Sequence, residues 1–138
     1  MAVVEELLRS EANGGISFGN HKLEKKAKLE DFKHEGDLLK VKTFRDITKL
    51  EKNGMFLYES VPGTSVRNYV EKESGVEFLV EGDEDAQITI GLDEETEYEV
   101  FVDGAGIGTM TTGLGGKLSL SVELEAAGEV PVRIEARR

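Results

Sequence analysis

The chain has 138 residues, 38% of them apolar and 33% charged, enough for one domain with a core of its own and too few for two. It contains no cysteine, so neither disulfides nor thiolate metal sites hold it together. Seventeen Lys and Arg (17) against 28 Asp and Glu give a formal charge of -11, which speaks against DNA, RNA and anionic membrane surfaces as partners.

The start, Met1 to Arg9, carries Glu5 and Glu6 where a secretory leader has a basic region, and no apolar run approaches the ~18 residues a membrane helix needs. A cytoplasmic location is the resulting expectation. Val4, Leu7 and Leu8 sit at helical spacing, which predicts a short amphipathic helix over residues 3 to 10, ending near Asn13-Gly14-Gly15. Ile16-Ser17-Phe18 reads as a brief strand. Residues 22 to 33 suit a helix face almost as well as a strand through Leu23, Ala27 and Leu29. Strand is preferred, because the steps to Leu29 and Phe32 leave no continuous helical stripe.

Leu38 to Phe44 alternates with Leu39, Val41 and Thr43 on one face, and Ile47 to Leu50 continues briefly. Asn53-Gly54 supplies the residues of a type I′ turn and leads into Met55-Phe56-Leu57-Tyr58-Glu59-Ser60-Val61, the most apolar run in the chain. Such a run predicts a central strand, covered on both faces or lying in a subunit contact. After Pro62-Gly63-Thr64 come strands at Val66 to Val70, at Val76, Phe78 and Val80, and at Ile88, Ile90 and Leu92. The acidic loops Gly82 to Asp85 and Asp93 to Glu95 flank the last of these.

From Glu95 to Leu124 the pattern is clearest. Tyr98, Val100 and Val102 alternate with acidic residues, Asp103-Gly104 turns the chain into Ile107 to Thr112, and Gly113 to Gly116 turns it again into Leu118, Leu120, Val122 and Leu124. The prediction is a three-strand meander with Tyr98, Val100, Val102, Leu118, Leu120 and Val122 facing inward. Val130 to Ala136 forms the last strand, and Pro131, which cannot donate to a ladder, puts that strand at an edge or starts it there. The whole is about nine to eleven short strands in one domain over residues 1 to 138. An all-β, antiparallel β-sandwich of immunoglobulin-like or jelly-roll-like type is the expected fold, with a closed β-barrel as the alternative.

Chemistry-bearing motifs are scarce. Gly104-Ala105-Gly106-Ile107-Gly108 lacks the G-x-G-x-x-G frame and the following helix of a dinucleotide loop, and Lys117 after Gly116 is followed by leucine where a P-loop needs Ser or Thr. The carboxylates of Asp83 to Asp85 and Asp93 to Glu95 lack the order of a calcium loop. A zinc site would need both His21 and His34 with a carboxylate such as Glu35. Tyr58, Tyr69, Tyr98 and the six phenylalanines are the material for a sugar-stacking platform, but most fall at core-facing positions. No catalytic residue, cofactor or metal site is expected.

Leu38-Leu39-Lys40-Val41-Lys42-Thr43-Phe44, Lys49-Leu50-Glu51-Lys52-Asn53-Gly54-Met55-Phe56, Tyr58-Glu59-Ser60-Val61-Pro62-Gly63-Thr64 and the run Gly115 to Leu124 together resemble a family of small proteins of anaerobic Firmicutes that carry the label endosialidase. True sialidases and phage endosialidases are several times longer, built on propellers with an arginine cluster and Ser-x-Asp-x-Gly-x-Thr-Trp repeats. This chain has no tryptophan and no such repeat, so the resemblance carries no catalytic residue across. Leu92 to Val122 separately resembles the terminal strands of immunoglobulin-like accessory modules, where a Tyr-x-Val-x-Val-Asp-Gly hairpin precedes a Gly-Gly-Lys-Leu strand. That resemblance implies the sandwich.

Two function classes follow. The first is a non-catalytic structural or assembly protein acting through self-association or other protein contacts; the alternative is a small glycan-binding module. Absent tryptophan and an absent export leader favour the first. Its expected contact residues are Met55, Phe56, Leu57 and Tyr58, with Phe101, which interrupts the acidic face of Glu97, Glu99 and Asp103. A homo-oligomer is the expected form, helped by pairing between the lysine-rich segment Lys22 to Lys52 and the acidic segment Glu71 to Asp103.

Overall fold

In the computed structural model, which describes residues 3–137, those residues form 13 strands and no helix. In chain order they are β1 (Leu8–Ser10), β2 (Ile16–Phe18), β3 (Ala27–His34), β4 (Asp37–Phe44), β5 (Ile47–Lys52), β6 (Met55–Val61), β7 (Ser65–Lys72), β8 (Gly75–Glu81), β9 (Ala86–Gly91), β10 (Glu97–Val102), β11 (Ala105–Thr111), β12 (Lys117–Val122) and β13 (Val130–Ala136). Sheet A has the order β1-β2-β7-β8-β13-β10-β11 and sheet B the order β12-β9-β6-β5-β4-β3. All pairings are antiparallel, and the two sheets face each other as a sandwich without closing into a barrel. No helix among the described residues is long and apolar enough to cross a membrane.

Local turn chemistry sets the hairpins. Glu35-Gly36, Asn53-Gly54 and Asp103-Gly104 each hold two successive residues at positive φ, with values of 48° and 86°, 52° and 79°, and 53° and 82°. That is the type I′ conformation, whose twist matches the flanking strands. Period-two alternation then buries Leu39, Val41 and Thr43 from β4, Tyr98 and Val100 from β10, and Leu118, Leu120 and Val122 from β12. Val102, at the end of β10, is only half-buried. At the centre of the core four rings meet: Phe18 lies edge-on to Tyr58 at 5.1 Å and to Tyr69 at 5.7 Å, and Tyr69 stacks on Phe78 at 5.4 Å. Edge-to-face and offset arrangements of this kind add about 0.5–1.5 kcal/mol each beyond area burial.

Four expectations need correction. The predicted N-terminal helix is absent: Leu7 takes φ 71°, and Gly19 is bonded to both ends of the segment Val4 to Leu7, Val4 N–H to Gly19 C=O at 3.0 Å and Gly19 N–H to Leu7 C=O at 3.1 Å. An eight-residue helix carries an unfavourable nucleus, whereas these bonds bury Val4 and Leu8 at once. The segment 22–33 is strand only from Ala27 onward.

The meander is the third correction. β10 and β11 do form a hairpin, but β12 leaves that sheet and pairs with β9 in sheet B. Gly116 fixes this: it has φ +70°, its N-terminal neighbours lead the chain across, and a Cβ placed on it would come 2.3 Å from the Leu92 carbonyl. Its own carbonyl accepts from Leu92 N–H at 2.8 Å, which sets the register Lys117 opposite Gly91. Finally, β13 is an interior strand between β8 and β10, with Pro131 its second residue. The ladder to β10 ends at Val102 opposite Val132, and Pro131 lies one step beyond, its carbonyl accepting from Asp103 N–H at 2.8 Å. N and C=O of one strand residue point the same way, so the missing donor faces the turn and removes no ladder bond.

Candidate functional site

The apolar residues expected at a contact surface are largely covered within the chain. Tyr58 and Leu57 are 0% and 6% exposed and belong to the core, so neither meets a partner. Phe56 points to the outer face of sheet B, beside Gly91, and Lys117 Nζ sits 4.5 Å above its ring. Phe101 points outward from sheet A, against Gly106, with the Arg133 guanidinium 4.1 Å from its ring centre. Phe44 lies beneath Lys26 at 5.9 Å. Each outward ring thus rests near a cation that shields it. Met55 alone of the expected set is open, at 72% exposure, and it lies on a different sheet from Phe101.

The remaining aromatics of the supposed sugar platform are inside: Phe18, Tyr58, Tyr69, Phe78 and Tyr98 are core residues, and Phe32 packs against the core. The Tyr98 hydroxyl accepts from Asp93 N–H at 3.1 Å, which ties the loop before β10 to the sheet.

The two histidines serve separate clusters. His34 Nε2 donates to the Gly14 carbonyl at 3.0 Å and Nδ1 accepts from Ser10 Oγ at 2.8 Å, so the ring staples the β3 edge of sheet B to the β1 edge of sheet A. His21 is buried in a grouping that sequence spacing concealed, with Ser65 and Asp83 drawn from 44 and 62 positions away along the chain. Ser65 Oγ accepts from His21 N–H at 3.2 Å and lies 2.7 Å from Nδ1, while Asp83 Oδ1 is 3.5 Å from Nε2 and 2.5 Å from Lys22 Nζ. Burial pushes the His21 imidazolium below its usual range, and Asp83 only partly opposes it. The Asp83 carboxyl is lowered chiefly by the hydrogen bond from Lys22. The three side chains have the composition of a hydrolase triad, but Ser65 is fully buried.

Beside it lies a second buried hydroxyl cluster. Thr43 Oγ1 and Thr48 Oγ1 are 2.8 Å apart, Thr48 Oγ1 donates to the Thr64 carbonyl at 2.7 Å and accepts from Thr64 N–H at 3.1 Å, and Thr64 Oγ1 lies 2.7 Å from both Tyr58 Oη and Ser60 Oγ. These bonds hold the Pro62-Gly63-Thr64 crossing that carries the chain from β6 in sheet B to β7 in sheet A. In the acidic loops, Asp85 Oδ1 accepts from Leu124 N–H and Glu125 N–H at 2.9 and 3.1 Å, a structural use of that carboxylate. Among the described residues no three His, Asp or Glu converge at metal-binding range.

What remains open is one side of the sandwich. The β1 and β3 edges are guarded: β1 has three residues, and β3 carries Lys28, Glu30, Asp31 and Lys33, a register shift between Leu29 and Phe32, and positive φ at Asp31. On the opposite side, β11 and β12 end sheets A and B. β11 is seven residues long, Ala-Gly-Ile-Gly-Thr-Met-Thr, with neither charge nor proline, and all but Met110 are exposed. Thr112 N–H donates to Thr96 C=O at 3.0 Å, and alternation from that pair directs the N–H and C=O of Thr109 and Thr111 away from β10, into solvent. A groove of about 420 Å³ between the two edges is lined by Asp103, Ile107, Glu123, Glu125 and Glu129 among others, and Glu129 is held by Arg67 in a two-pronged pair. The exposed Glu94, Glu95, Glu97 and Glu99 extend the acidic margin along the same edge. Comparison of the chain with protein-family models, curated proteins and solved structures gives no match.

Proposed function

We propose that the chain is a non-catalytic protein-contact module whose working edge is β11, and that it takes up an extended, lysine- or arginine-bearing segment of another protein as an added strand. The observation that carries this is the edge itself. β11 has neither charge nor proline, its one register shift falls at Ile107 toward the turn, and beyond it Thr109 and Thr111 hold unpaired backbone groups that are a template for strand addition, whereas the other edge of the same sheet is short and stapled. The charge around it supports the choice of occupant. Two copies joined edge to edge would set Glu97, Glu99 and Asp103 of each against the same acidic margin of the other, whereas a basic segment meets complementary charge.

Thr111→Pro tests the reading. Its N–H points away from the sheet, where proline is tolerated, so the fold should survive while the outward donor is lost. A short peptide of alternating lysine and valine should shift the amide NMR signals of Thr109 and Thr111, and with the variant the shift at Thr109 should be lost. Binding that Thr111→Pro leaves unchanged, or shifts centred on another face, refutes the reading. Light scattering at low and high salt checks the other occupant: a dimer abolished by Thr111→Pro would assign the edge to a second copy instead.

A further inference from the structure

On the outer face of sheet B the strand register lines up like charges. Lys28 lies directly opposite Lys42, and Lys42 directly opposite Lys49, so three lysines cross β3, β4 and β5 in one row. Lys40 stands beside Lys42 on the same face, and Lys26 lies next to the row with its ammonium over Phe44. Lys40 reaches Glu30 at 3.4 Å and Lys49 reaches Glu51 at 3.7 Å, but Lys26, Lys28 and Lys42 have no carboxylate within ion-pair range among the described residues. Lys28, Lys40, Lys42, Lys49 and Glu51 surround a shallow depression of about 60 Å³.

Like charges directly opposite one another in a sheet are destabilising, and this chain holds 28 carboxylates from which partners are readily drawn. A lysine row in which Lys28 and Lys42 lack a carboxylate partner, in a protein of charge -11, is therefore an arrangement whose cost a ligand offsets. Its mutual repulsion already lowers the affinity of Lys42 for its proton, chiefly through Lys26. We infer that the Lys28–Lys42–Lys49 row is a binding site for a compact, multiply charged phosphate group.

The extent of the row decides the size of the ligand. Three adjacent strands span about 10 Å, close to one screening length at physiological salt. Beyond Lys49 the next residue in the row is Glu59 on β6, and on the far side β3 is the edge of the sheet, with Glu30 and Asp31 alongside. A compact anion feels only the lysines, whereas a long polyanion runs onto carboxylates and into the field of the whole molecule. Lysine suits a ligand of this kind because its ammonium acts as a mobile point charge with three donors. The phosphate group is that of a small soluble ester or of a lipid headgroup, and the chemistry at the lysines is the same.

The test uses sodium pyrophosphate at constant ionic strength, followed by amide NMR and by thermal melting. Saturable shifts centred on Lys28, Lys42 and Lys49 are expected, with a melting temperature that rises with pyrophosphate. Lys42→Gln should weaken the binding by about tenfold, and without pyrophosphate it should be at least as stable as the parent, since it relieves repulsion. Vesicles of phosphatidylcholine with a phosphoinositide form the second arm: binding there that Lys42→Gln weakens assigns the headgroup, and pyrophosphate binding without vesicle binding assigns a soluble ester. The inference is overturned by no saturable binding in either arm, by shifts spread evenly over Lys72, Lys117 and the row, or by a Lys42→Gln variant less stable than the parent without anion. A single-stranded RNA oligomer that binds more tightly than pyrophosphate would overturn the compact ligand.

Discussion

Replacing Thr64 by valine removes one hydroxyl from the crossing between the sheets and keeps the side chain's shape. Thr64 Oγ1 is the shared partner of Tyr58 Oη and Ser60 Oγ, each at 2.7 Å, and all three residues are fully buried. The substitution leaves at least one buried O–H without its partner, at ~1–3 kcal/mol, and deletes a further hydrogen bond worth ~1 kcal/mol. The added methyl returns ~0.8 kcal/mol of burial. The expected net loss is about 1–3 kcal/mol in urea-induced unfolding, with an unchanged denaturant slope. The triple variant Tyr58→Phe, Ser60→Ala, Thr64→Val should recover most of it, because removing every partner strands no donor. A Thr64→Val protein as stable as its parent would refute the view that the hydroxyl cluster fastens the crossing, as would a triple variant that simply adds the single losses.

Three other outcomes are expected. Gly63→Ala should prevent stable folding, since a Cβ there falls 1.9 Å from the Phe44 carbonyl oxygen; circular dichroism and melting check it. Leu120→Ala should cost ~2–5 kcal/mol and Leu120→Asp should unfold the domain, and a stable Leu120→Asp protein would remove Leu120 from the core. Because the folded-state affinity of His21 for its proton is lowered from the ordinary value of 6.5, the unfolded chain protonates first, so this group's contribution to stability is lost as pH falls below 6.5 and levels off below the folded value. His21→Gln should flatten that decline, at most about 1.4 kcal/mol per pH unit for one proton, and an equally steep decline in the variant would exclude His21 as its source. Asp83, also lowered, acts in a separate window: its stabilising contribution is full above its ordinary 3.8 and is lost as pH falls from there through the lowered folded value.

The sandwich was legible because alternation and turn residues are local properties. Asn53-Gly54 and Asp103-Gly104 announce their hairpins, and Leu39, Val41, Leu118 and Leu120 announce a buried face. Which sheet a strand joins is a different matter. β12 alternates equally well beside β11 or beside β9, and the choice rests on how closely Gly116 approaches the Leu92 carbonyl, a contact between residues 24 positions apart. Val4 and Leu8 fit helical spacing and strand pairing alike, and the bond to Gly19 decides. The burial of Leu57 and Tyr58 was hidden for a related reason: Leu57 is the extra residue at a register shift opposite Leu50 and Glu51, so that it and Tyr58 are both buried, and the cations over Phe56 and Phe101 come from other strands. The lysine row was visible only as a lysine-rich segment, because cross-strand register is what puts Lys28, Lys42 and Lys49 side by side.

The interior position of β13 bears on the order in which the protein is made. Within sheet A, the β10–β11 hairpin is joined to the other strands solely through β13, which is translated after all of them. While the ribosome still holds Val130 to Ala136, β8 and β10 each have one side without a neighbour, and β11 hangs on a hairpin that by itself is marginal. Completion of the sheet therefore waits until that stretch has left the exit tunnel. A stalled or truncated chain that ends before Val130 would display unpaired margins on β8 and β10 that β13 covers in the finished protein, and would be prone to aggregate through them.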